Sequence, residues 1–232
     1  MTRTAINCSL LALAALTTAC SQETGSPESA PAVSQASAAT ESADAADLAT
    51  AEAFIDAFYS FDREQLAPLL AAATDSAAGL LYYQGWAEGG NYRVLERAPC
   101  AREEAGSVAC PVTVQDDPVV ALGTGFNVTD TFHLTFENGV IIDVETSSDD
   151  QPIYFQARSW VEANMPEVMD GPCANHGTDA GTPADCARAM TAGYAAFAAS
   201  EDFPGVALPP DAEAAEAMAK QVTDAVPKQP EG

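Results

Sequence analysis

Between Val108 and Glu145 the chain alternates apolar and polar residues with the period of a β-strand, and this stretch limits the available folds more than any other. Val108, Cys110, Val112 and Val114 alternate with Ala109, Pro111, Thr113 and Gln115. Val128, Phe132, Leu134 and Phe136 share one parity, and Thr129, Thr131, His133 and Thr135 take the other. Glu137-Asn138-Gly139 is a tight-hairpin signal, after which Val140, Ile142 and Val144 alternate with Ile141, Asp143 and Glu145. Tyr92 to Arg97 adds a candidate strand. The pattern predicts an antiparallel sheet with one apolar face.

Helical spacing brackets the strands. Asp47 reads as the cap of a helix over 48–60, with Phe54, Ile55, Phe58 and Tyr59 as its apolar stripe. Asp62 and Gln65 form a capping box for a short helix over 63–73. A third helix over 75–88 carries Leu81, Tyr82 and Trp86, and Gly89-Gly90 stops it. Beyond Glu145 a helix over 152–164 is followed by a loop. Thr182-Pro183-Ala184-Asp185 then supplies a cap, a proline and a first-turn acid for a helix to about 199. A weaker helix is expected over 211–226. The fold class is α+β: three N-terminal helices packed on an antiparallel sheet, with a helical C-terminal extension over 147–200 and a frayed tail over 201–232.

The first twenty residues, MTRTAINCSLLALAALTTAC, place Arg3 before a short apolar stretch and then small residues. That is the pattern of a secretory signal over 1–19, too short to span a membrane. Leu16-Thr17-Thr18-Ala19-Cys20 resembles a bacterial lipobox, which implies lipidation of Cys20 and an envelope location, with Ser21 resembling the residue that permits transfer to the outer membrane. Residues 20–46 are small, polar and acidic, the composition of a disordered tether. The 34 acidic and 9 basic residues give a formal charge of −25, which argues against nucleic-acid binding. Cys100, Cys110, Cys173 and Cys186 are an even set in an exported chain, so they read as disulfides with three possible connectivities. Local pairing, Cys100 with Cys110 and Cys173 with Cys186, is preferred because each pair brackets a glycine-containing loop. Neither pair is CxxC and the chain has 2 histidines, which argues against a zinc site. No cofactor motif is present.

The segment FIDAFYSFDREQLAPLL (54–70) and the hairpin TDTFHLTFENGVIIDVE (129–145) resemble the nuclear transport factor 2-like, or SnoaL-like, superfamily. CAREEAGSVACPVTVQDD, MPEVMDGPC and TPADCARAM are similar to a bacterial lipoprotein branch with a helical extension. The resemblance implies a cone over 47–146: a strongly curved sheet wrapped on the helices, with a pocket at one end. It implies no particular chemistry, because the superfamily holds isomerases, dehydratases, cyclases and non-enzymes. The steroid isomerase branch has a catalytic tyrosine eight residues before the bend aspartate. Here the bend aspartate is Asp62 and that position is Phe54.

If Val114 opposes Phe132, then Asp116 opposes Asp130 at the pocket rim, a carboxylate pair able to act as acid and base. The competing reading makes both solvated turn residues. Tyr59, Tyr82, Trp86 and Phe132 are the expected pocket aromatics. His133 falls on the outer sheet face by parity, a possible homodimer surface, and His176 in a solvated loop. The expectation is therefore a lipid-anchored protein that binds a small apolar ligand, or a partner through the sheet face. The alternative is a small-molecule isomerase, dehydratase or cyclase using Asp116 and Asp130.

Overall fold

A computed structural model describes residues 33–177 and 181–205. The signal segment, Cys20, the first part of the expected tether and the helix expected over 211–226 lie outside the described residues. The first helix, α1 (Val33–Tyr59), begins well ahead of the cap expected at Asp47, in a stretch rich in alanine, the best helix former. Its stripe is as expected, with Ala51, Phe54, Ile55 and Phe58 buried. Asp62 caps α2 (Arg63–Leu66), accepting hydrogen bonds from the Glu64 amide at 2.9 Å and the Gln65 side chain at 2.8 Å. A 3-10 turn over Ala67–Leu70 leads toward α3 (Ala77–Gly89). Gln84 of α3 is buried and donates to the Ala57 and Phe58 carbonyls at the end of α1, locking the two helices together.

The strands are β1 (Arg93–Arg97), β2 (Ala101–Arg102), β3 (Val108–Gln115), β4 (Val128–Glu137) and β5 (Val140–Ser148). They form a five-stranded antiparallel sheet in the order β1-β3-β4-β5, with β2 pairing on β3. The cone implied by the resemblance is not formed. The sheet is open, and β1 and β5 remain edges that do not pair with each other. Register irregularities occur between Val94 and Glu96 and between Thr135 and Phe136, and these do not close it. One-faced burial is as the alternation dictates in β3 and β4, whereas in β5 the register shift at Phe136 turns Ile141 inward and leaves Val140 exposed, against the expected parity. Val108, Cys110, Val112 and Val114 of β3 meet Leu134, Phe132, Asp130 and Val128 of β4 on the inner face, under α1 and α3. The outer face carries Thr113, Thr129, Thr131, His133 and Thr135.

Arginines clasp α1 to the sheet. Arg97 pairs with Glu52 and Asp56, and Arg102 pairs with Asp47 at 2.7 Å. The Cys100–Cys110 disulfide ties the segment before β2 to β3. A short helix the strand pattern hides, α4 (Asp117–Ala121), follows β3, capped by Asp116.

The extension consists of α5 (Pro152–Asn164), α6 (Pro166–Met169) and α7 (Pro183–Ala198), with Cys173 bonded to Cys186. It builds a second apolar cluster from Leu122, Val161, Met190, Tyr194 and Phe197. This cluster joins the first through α3. A Cβ on Gly89 would lie 2.3 Å from the Ala184 carbonyl oxygen, and one on Gly85 would lie 2.6 Å from Pro183. The backbones of α3 and α7 therefore approach as closely as glycine permits. Among the described residues no helix is long and apolar enough to cross a membrane.

The α3–α7 contact is directly testable. Gly89→Ala should destabilise the protein by about 1–3 kcal/mol, because the obstacle is backbone and cannot rotate away. Gly79→Ala, where a Cβ meets nothing within 4 Å, should be neutral or stabilising by up to ~1 kcal/mol through helix propensity. Urea unfolding of the two variants decides, and equal midpoints would remove the close approach as a constraint.

Candidate functional site

A cavity of about 400 Å³ opens where the inner sheet face meets the extension. Helix α3 contributes Tyr82, Tyr83 and Trp86, and the segment before β1 contributes Tyr92. Asp130 of β4 lines it from the sheet, and Asp150 from the segment after β5. Helices α5 and α7 close the far wall with Tyr154, Arg158 and Tyr194. The Cys173–Cys186 disulfide lies in the lining and holds one end of the loop that carries His176.

Asp130 is on the inner face because β4 alternates, so its carboxylate takes the place of an apolar side chain opposite Val112. It is 6% exposed. Its Oδ2 accepts hydrogen bonds from the Tyr83 hydroxyl at 2.6 Å and, more loosely, from Tyr59 at 3.5 Å. Burial pushes its pKa up to about 6; the Tyr83 hydrogen bond pulls the other way, and the neighbouring Asp150 adds to the rise. Burial also drives Tyr59 and Tyr83 well above the ordinary phenol value. Both therefore stay protonated and act as donors to the carboxylate.

Asp116 and Asp130 do not oppose each other. Val114 faces Val128 rather than Phe132, and Asp130 faces Val112. Nor are the two solvated, for Asp116 is 1% exposed. Asp116 ends β3 and spends its carboxylate on the Val119 amide at 2.8 Å, capping α4, and it does not line the cavity. Burial pushes it up to about 7; the Val119 hydrogen bond opposes the rise, and Asp130 and Asp150 reinforce it. The pair thus communicates through charge without converging on one point.

Of the expected aromatics, Tyr82 and Trp86 line the cavity, whereas Tyr59 and Phe132 stand behind the wall. Phe132 is fully buried and packs against Phe54, Phe58 and Tyr83. His176 is exposed in its loop, as expected, but it also reaches the cavity lining. Its ring meets Tyr82 edge-on at 4.9 Å, and burial, reinforced by Arg158, lowers its pKa. His133 lies on the outer face, bonded to Glu103 at 3.0 Å and Ser147 at 2.9 Å. Among the described residues no group of three or more His, Cys, Asp or Glu could hold a metal ion.

Tyr83, Tyr92, Asp150, Tyr154 and Tyr194 went unrecognised as site residues in the sequence. One signal was available for Tyr83: it sits beside Tyr82 on a helix whose two sides meet different cores. Tyr92, Tyr154 and Tyr194 are polar-tipped aromatics, which in sequence resemble any core tyrosine, and Asp150 follows Asp149 in what reads as an ordinary acidic loop.

The buried carboxylates set a pH dependence. Asp116 and Asp130 hold protons in the folded state at pH values where the unfolded chain has released them. Stability should therefore fall as pH rises from about 4 to about 7. Asp130→Asn, which keeps an oxygen for Tyr83, should remove up to about 3 kcal/mol of that fall. Urea midpoints at acidic and neutral pH measure it, and parallel profiles for variant and wild type would contradict it.

Comparison with family models, with curated proteins and with solved structures returns no match, so the site is read from its own geometry.

Proposed function

We propose that this chain is a non-catalytic binding protein for a small, largely apolar molecule, held at the bacterial cell envelope by a lipid on Cys20. The observation that carries the binding reading is the cavity itself: about 400 Å³, walled mainly by aromatic side chains, with one deeply buried carboxylate at its base. That volume and composition suit small organic ligands. Two of the walls are also tied together within the chain itself. The glycine contacts between α3 and α7 and the Cys173–Cys186 disulfide join them, which lowers the ordering cost of binding.

A reaction using Asp116 and Asp130 together draws no support from this arrangement, since Asp116 is committed to capping α4. Docking of a partner, or of a second copy, on the outer sheet face is also weakly supported. That face is threonine-rich; of the exposed large apolar side chains Val120 and Phe155 lie on helices, Val94 pairs with inner-face Val114 and Leu95 sits at the β1 irregularity, leaving Val140 at the hairpin end of the outer face. The envelope address rests on residues 1–20.

Native mass spectrometry of the full-length protein released from detergent tests both parts. The chain should carry the mass of a lipidated Cys20 start and a low-mass adduct that Trp86→Ala diminishes. An unmodified chain would refute the anchor, and an adduct insensitive to Trp86→Ala would refute the cavity as its seat.

A further inference from the structure

The charges around the cavity do not balance. Asp130, Asp150 and Glu162 line it together with a single permanent cation, Arg158. Arg158 is closed on Glu162 by an ion pair at 3.1 Å, and His176 is held toward its neutral form. Among the described residues, no ion pair engages Asp116, Asp130 or Asp150. The hydrogen bonds to the Asp130 carboxylate both fall on Oδ2, leaving Oδ1 an acceptor without a donor among the described residues. Among the described residues Asp150 accepts only from the Ser148 hydroxyl, at 2.6 Å on its own Oδ2. Oδ1 is not sealed off, but a guest that covered it without supplying a donor would leave a charged acceptor buried and unsatisfied.

A second observation is independent of the acids. Tyr82 is 7% exposed and lines the same cavity, yet its hydroxyl has no hydrogen-bond partner among the described residues. The Gly177 amide approaches its oxygen without closing a bond, and the hydroxyl proton has no acceptor. The cavity therefore has an anionic, acceptor-rich side and a neutral polar group elsewhere in an aromatic wall. Tyr83, Tyr92, Tyr154 and Trp86 surround the acidic side, and Tyr92 lies within electrostatic reach of Asp116, Asp130 and Asp150 at once.

We infer that the ligand is a protonated organic amine on an aromatic or similarly apolar body, its ammonium group donating to Asp130 Oδ1 beside Asp150. This rests on the binding reading above and narrows it to one chemical class. An ammonium N–H supplies the donor that Oδ1 lacks, and a charge-assisted bond is about twice as strong as a neutral one. Aromatic faces around a cation attract it further once water is excluded. A metal ion would need converging ligands, and none converge among the described residues. An anion would meet Asp130 and Asp150 directly. A neutral hydrocarbon would cover Oδ1 and leave it unsatisfied.

Isothermal titration calorimetry of the full-length protein near neutral pH, with three probes sharing a phenyl ring, tests the class. The probes are 2-phenylethylamine, 2-phenylethanol and 3-phenylpropanoate. The amine should bind at least ~10-fold more tightly than the alcohol, with the carboxylate weakest. Asp130→Asn should bring the amine to the affinity of the alcohol while leaving the alcohol within about twofold, the signature of a lost charge rather than a damaged wall. The wild-type ranking decides even if the variant fails to fold. Equal affinities, or a preference for the alcohol or the carboxylate, would overturn the amine assignment and leave the binding reading standing. No heat with any of the three probes would overturn both.

Discussion

The site depends on the contact between α3 and α7, where two glycines let one helix backbone rest on the first turn of another. Every larger residue at Gly89 would push Ala184 away, and with it the helix that presents Tyr194 to the cavity. The start of α7 is specified redundantly at this point. Thr182 and Pro183 begin it, and Cys186 in its first turn is bonded back to Cys173. Local chain stiffness, a covalent link and a steric fit thus agree on one position, the kind of consistency that selects a single arrangement. The extension is therefore part of the site and not an appendage, for the sheet and the first three helices alone would leave Tyr83 and Asp130 facing an open groove.

The same geometry explains how a strongly acidic chain tolerates acids in its interior. Most of its carboxylates are exposed, where water screens them. Asp130 is not, and its position follows from strand parity rather than from any local preference. The fold meets the cost with the two tyrosine hydroxyls that reach Oδ2, and by letting the carboxyl hold its proton to higher pH than usual. Asp116 meets it differently, by becoming an N-cap, so that an amide donor sits on the carboxylate. Two acids that look equivalent in sequence carry different work because one ends a strand and the other lies within one.

The sequence was most readable where a single periodicity governs. Alternation identified β3, β4 and β5 and the buried face of the first two, and helical spacing identified the stripe Phe54, Ile55 and Phe58; in β5 the register shift beside Phe136 buries Ile141 and exposes Val140, against the expected parity. The short loops gave both disulfides. Register was not readable, because it is set by the connection between β3 and β4. Asp116 stops β3 by capping α4, and Gly123 and Gly125 then turn the chain at positive φ. That path pairs Val114 with Val128 and carries Asp116 away from Asp130. Curvature was not readable either. Alternation states which face is buried, but closure depends on where the strands are bulged and sheared, and here the edges stay apart.

What separates holding a molecule from transforming it is the number of reactive groups that converge on one point. A proton transfer needs a donor or base within about 3 Å of the reacting atom and commonly a second group to stabilise the charge that develops. In this cavity the Asp130 carboxylate is supported by tyrosines on its far oxygen, Asp116 is engaged elsewhere, and His176 stands with Tyr82 and Trp86 in another part of the wall. The polar groups are dispersed around an aromatic hollow, each able to satisfy one feature of a guest. Dispersed, single-purpose contacts in an apolar frame suit discrimination among guests by charge and shape, and they favour the proposed binding reading over a catalytic one.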